Sequence, residues 1–95
     1  MGKVSRPLPA RLGEKLLQIR LGLGLSQQQL TQVLGLGDPR LFQGTISNYE
    51  LGKSEPSLPS LLKYARLAGI TVEILIDDDL NLPDIGKSRG SHTRR

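Results

Sequence analysis

Apolar residues recur along this chain at helical spacing, in short runs closed off by glycine. Leu12, Leu16 and Ile19 follow the i, i+4, i+7 rhythm of a core-facing stripe. Pro9 stands in front of them, where a first-turn proline loses no hydrogen bond. Together they predict a first helix over Ala10 to Leu21, ended by Gly22 and Gly24. Leu17 and Leu21, also four apart, point to nearly the opposite face and call for a second contact. Ser26 and Gln29 have the spacing of a capping box, whose two side chains satisfy orphan N–H groups reciprocally. They open a second helix over Gln27 to Leu34, with Leu30, Val33 and Leu34 apolar, and Gly35 and Gly37 punctuate its end. In a third helical stretch Ile46, Tyr49 and Leu51 are apolar, while Gln43, Thr45, Ser47 and Asn48 are polar. It ends near Leu51-Gly52.

Two starts compete for that third helix. Asp38-Pro39 reads as an N-cap with a first-turn proline; alternatively Asp38 to Leu41 is an inserted loop and the helix begins near Phe42. Gly44 disfavours a long regular helix by roughly 1 kcal/mol, which favours the loop. Ser57 caps a fourth helix carrying Leu61, Leu62, Tyr64, Ala65 and Leu67 as far as Ala68, with Gly69 behind it. Thr71 caps a last short helix, Val72 to Ile76. Beyond Asp77, Leu80, Leu82 and Ile85 suggest an extended tail, and from Gly86 the chain has nothing to bury. With no clear strand, the expectation is an all-α, compact bundle of five short helices containing a helix-turn-helix. Its parts would be a flexible basic arm (1–9), the helical domain (10–76) and an acidic then basic tail (77–95).

Composition narrows the function. Ninety-five residues make one small domain. Residues 1–76 hold nine Lys and Arg against five Asp and Glu, a mildly basic body suited to polyanions. Asp77, Asp78, Asp79 and Asp84 follow, read as a solvated acidic patch rather than a metal site. The chain has no cysteine, and its single histidine, His92, lies in the tail. No base–nucleophile constellation exists, so an enzyme, a cofactor and a metal are not expected. The Gly22-x-Gly24 and Gly35-x-Gly37 pairs do not complete a nucleotide-binding G-x-G-x-x-G. No run is long enough for a membrane span and no signal peptide precedes the domain, so a cytoplasmic protein is expected.

The segments IR, GLSQQQL, LG, ISNYELGK and PSLPSLLKYARLAGI, taken in order, resemble the lambda-repressor and Cro type of helix-turn-helix domain, often called XRE-like, over about residues 10–76. The resemblance implies a third helix that reads the major groove and a second helix whose start meets phosphate. Carried onto this sequence, it assigns Gln27 and Gln28 to the DNA backbone. Gln43 and Asn48 fall at base-contacting positions, Thr45 and Ser47 at phosphate or base contacts, and Lys53 at the backbone. Arg20 and Glu50 match a structural ion pair. Three departures stand out. The turn before the third helix is longer by about five residues, judged against the family's pattern. Thr31 replaces a small Ala, so its hydroxyl needs a partner such as the carbonyl one turn back. Leu17, Leu21 and Val33 replace common polar residues, as an interaction surface: a dimer seam or packing for the Leu80–Ile85 segment.

These residues lead to a sequence-specific DNA-binding transcriptional regulator, a repressor that binds a near-palindromic operator as a homodimer and is thereby drawn to the nucleoid. The alternative from another class is a protein-interaction module on the same fold, such as an antitoxin or accessory subunit, with a toxin or another regulator as partner.

Overall fold

The computed structural model describes residues 9–35 and 43–85. Its elements are α1 (Leu12–Leu23), α2 (Gln27–Gly35), α3 (Gln43–Glu50), α4 (Leu58–Ala68) and α5 (Val72–Ile76), with no strand among the described residues. The all-helical architecture and the order of elements are those expected. The basic arm up to Leu8, the Asp38-Pro39 alternative, Gly37 and Phe42, and the tail beyond Ile85 lie outside the described residues.

The stripe of α1 supplies Leu12, Leu16 and Ile19 to one core, joined by Leu30 and Leu34 of α2, Ile46 and Tyr49 of α3, Leu61, Tyr64 and Ala65 of α4, and Leu75 of α5. α1 packs against α3, α4 and α5, and α2 braces α3 and α4. Thus α3 is held from behind by two helices and keeps its other side outward. The capping box forms as expected: Ser26 N–H donates to Gln29 Oε1 at 2.8 Å, and Gln29 N–H to Ser26 Oγ at 3.0 Å. Ser57 caps α4 by accepting from Ser60 N–H at 3.2 Å. The Thr31 hydroxyl donates to the Gln28 carbonyl at 2.6 Å, the partner one turn back that its chemistry requires.

Several boundaries differ from the sequence reading, each for a physical reason. α1 is shifted by two residues at both ends. At its start Pro9 lies outside the helix, and Asp78 caps from far along the chain, accepting from Ala10 N–H at 2.8 Å and Arg11 N–H at 3.0 Å. At its end Gly22 is inside the helix, where the Ile85 backbone crosses too closely for a Cβ, so its glycine serves the crossing and not a helix stop. Gly24, at φ 74°, makes the left-handed stop. Gly35 closes α2 from within. Thr71 stands at the N-cap of α5 without a side-chain capping bond. Asp78 is thus a solvent-accessible carboxylate of the acidic patch that also caps α1.

Residues 77–85 are docked rather than free. The Arg11 guanidinium donates to the Asp78 carbonyl at 2.7 Å and to Asn81 Oδ1 at 2.9 Å, while Leu82 and Ile85 pack partly buried on the core. Lys15, only 3% exposed, donates Nζ to the Ile74 and Asp77 carbonyls at 2.7 and 2.9 Å, closing the end of α5. Burial pushes that ammonium below the ordinary lysine value. Lys63 closes α2 in the same way, on the Leu34 carbonyl at 2.8 Å.

Two predictions follow from this packing. A Cβ at Gly13 would meet the Glu50 carbonyl oxygen at 2.7 Å, so α1 and the end of α3 touch backbone to backbone. Gly13→Ala should lower unfolding stability by about 1–3 kcal/mol in urea, despite alanine's better helix propensity; a stabilised variant would contradict the close approach. Hydrogen bonds from Arg11 N–H and then Ala10 N–H hold the Asp78 carboxyl below its usual value. The cap is therefore fully present above the unfolded aspartate value of about 3.9 and lost as pH falls through the lower folded value. Asp78→Ala should melt below the wild type at pH 7, and the gap should close under acid.

Candidate nucleic-acid interface

α3 is two-sided because its period is helical. Ile46 and Tyr49 face the core, leaving Gln43, Gly44 and Asn48 exposed and Ser47 half-buried on the outward side. Thr45 is half-buried at the margin. Leu51, the third apolar residue of this stretch, is 64% exposed. The helical wheel gives the reason: Leu51 lies about 140° from Ile46, on the side of Ser47 and Asn48. Leu51 thus adds an apolar contact surface to the polar face, and its angle was the signal that could have placed it. Lys53, exposed, follows directly, its N–H held by the Asn48 carbonyl at 2.9 Å.

The start of α2 contributes donors. The capping box uses the N–H groups of Ser26 and Gln29, and helix geometry leaves those of Gln27 and Gln28 without an intrahelical acceptor. Such a helix end favours an anion. The Gln28 side chain is exposed; that of Gln27 is half-buried and donates Nε2 to Glu50 Oε1 at 3.1 Å.

Arg20 and Glu50 lock the interface to α1. Arg20 Nε donates to Glu50 Oε2 at 2.6 Å and Nη2 to Oε1 at 3.1 Å, while Nη1 reaches the Leu25 carbonyl at 3.0 Å. The two side chains are 13% and 6% exposed. The hydrogen bond to Glu50 raises the arginine's already high pKa, so its charge is permanent. Beneath them Tyr64 is fully buried, and its hydroxyl has no hydrogen-bond partner among the described residues. Burial, and then the Glu50 charge, push its pKa far up.

The apolar candidates do not share one surface. Leu21, 55% exposed, lines a groove of about 600 Å³ with Gln18, Gly22 and the segment Leu82–Ile85. Val33, 38% exposed, lines a different groove with Lys63, Arg66 and Leu67. Leu17 is half-buried.

The helix-turn-helix family profile matches residues 16–75, which contain α2, α3 and both halves of the Arg20–Glu50 pair. The chain belongs to the helix-turn-helix family. The resemblance to the lambda-repressor and Cro type is shown by this match. The chain is 36% identical over 64 residues to a protein of Bacillus subtilis (strain 168) named as the SPbeta prophage-derived uncharacterized HTH-type transcriptional regulator YonR. The aligned stretch is 67% of this chain and 55% of that protein, so the chain spans about half the length of its relative. No solved structure matches the chain. Among the described residues no helix is long and apolar enough to cross a membrane.

Removing one partner of the buried pair strands a charge. Arg20→Met should cost about 3–5 kcal/mol of unfolding free energy. Replacing both, Arg20→Met with Glu50→Met, should cost much less, because no unpaired charge remains buried. Urea unfolding of the two variants checks this; equal losses would contradict it.

Proposed function

We propose that this chain is a sequence-specific DNA-binding transcriptional regulator that acts as a repressor. The observation that carries the reading is the outward face of α3: Gln43, Ser47 and Asn48 stand free of the core beside Lys53, next to the start of α2. Amide side chains pair bidentately with adenine N6 and N7, worth about 1–3 kcal/mol of discrimination each. Thr45 and Ser47 add hydroxyls for bases or phosphates, and the Leu51 side chain suits a thymine methyl. Gln27, Gln28 and Lys53 meet the backbone and set register without reading sequence.

Two copies bind a near-palindromic operator, each placing α3 in one of two major grooves about 34 Å apart. The relative's name, a transcriptional regulator, agrees with this role. One observation favours the rival class, a protein-interaction module that binds a toxin or another regulator: Leu58 and Leu21 are 75% and 55% exposed.

Selection of bound duplexes from a random DNA pool by the full-length protein separates the two. The regulator should enrich a site with two related halves one helical turn apart. Unenriched DNA would favour the interaction module. On the enriched site, Asn48→Ala should relax preference at one base position per half-site, lowering discrimination there about tenfold. Weakening that is uniform across sequences would count against Asn48 as a base reader.

A further inference from the structure

Gln27 does not reach outward freely. Its amide nitrogen donates to Glu50 Oε1 at 3.1 Å, and that carboxylate is held by Arg20 at 2.6 and 3.1 Å. A carboxylate paired with a guanidinium only accepts hydrogen bonds, so the amide must turn its nitrogen, not its oxygen, toward Glu50. One N–H is thereby used, and the second N–H remains for a ligand.

The same bond joins the first residue of α2 to the last residue of α3. Residues 36–42 separate the two helices. Glu50 adds a hydrogen-bonded tie at this end to the core contacts between α2 and α3. It is 6% exposed, it is fixed by two bonds from α1, and its own backbone rests on Gly13.

We propose that Glu50 is a positioning residue for DNA. Through one hydrogen bond it orients the Gln27 amide so that the second N–H meets a backbone phosphate, and it sets the start of α2 against α3 across the long connection. This rests on the DNA-binding reading above. Glu50 does not itself touch DNA; its negative charge is neutralised by Arg20, so it does not repel the phosphate it serves.

The test uses the full-length protein, the duplex enriched by selection and a duplex of unrelated sequence, at one salt concentration. Gln27→Asn keeps the amide and the Arg20–Glu50 pair but is one methylene too short to reach both Glu50 and a phosphate. It should lose as much affinity as Gln27→Ala, about fivefold, and equally on both duplexes, as a phosphate contact requires. The paired replacement Arg20→Met with Glu50→Met removes the acceptor without stranding a charge. It should weaken the wild type but add little in the Gln27→Ala background. Additive losses, or Gln27→Asn binding like the wild type, would overturn the positioning role, and the Gln27→Asn arm decides alone if the paired variant does not fold. Nuclear magnetic resonance of the free protein reads the tether without DNA: the Gln27 side-chain amide protons should be protected from exchange and lose that protection in the paired variant. Unprotected amide protons in the wild type would also overturn the proposal. Protected protons with no binding to any duplex would sink the DNA reading, and the positioning role with it, while leaving the tether established.

Discussion

Three helices meet on one carboxylate. Glu50, at the end of α3, takes two hydrogen bonds from Arg20 of α1 and one from Gln27 of α2. A carboxylate so deeply withdrawn from water is tolerated because a paired guanidinium and three hydrogen bonds from fixed donors stand in for the water it loses. The arrangement also needs α1 and α3 to come within backbone contact, which is what a glycine at position 13 permits. Remove the ion pair and the outward face of α3 would still exist as a helix surface. Its angle to the start of α2 would then be set by core packing and a long connection alone.

A second set of polar contacts closes the chain on itself and lies mostly outside the matched stretch, residues 16–75. Asp78 caps α1, Arg11 ties residues 78–81, and Lys15 closes α5. Each satisfies backbone groups that a short helix leaves without partners. In a bundle whose helices run to twelve residues at most, such ends are a large share of the backbone. A buried lysine, an arginine and a remote aspartate do here what a longer helix achieves by its own ladder.

The sequence carried the elements because local chemistry decides them. The capping box at Ser26 and Gln29, the serine cap of α4 and the leucine stripe of α1 are patterns within a few residues, and they appear in the structure where the pattern puts them. What escaped was set by contacts distant in sequence. The start of α1 is fixed by Asp78, 67 residues on from Arg11, and the glycine at position 22 makes room for Ile85 rather than ending the helix. Lys15 was legible in principle, since it lies three positions after Leu12 and four before Ile19, on the buried stripe. Its role depends on where α5 ends, which no local pattern states. For the candidate interface, the polar residues of α3 were visible by composition. The outward turn of Leu51 was visible only by angle, and the bond from Gln27 to Glu50 only in three dimensions.

The proposed function requires one face, made by α3 and the start of α2, to meet DNA. Backbone amide shifts of the full-length protein, followed as the enriched duplex is added, test this. Changes should concentrate at Gln27, Gln28, Gln43, Ser47, Asn48 and Lys53, while α5 and residues 77–85 stay unmoved. Changes centred instead on Leu21, Gly22 and the segment Leu82–Ile85 would contradict it.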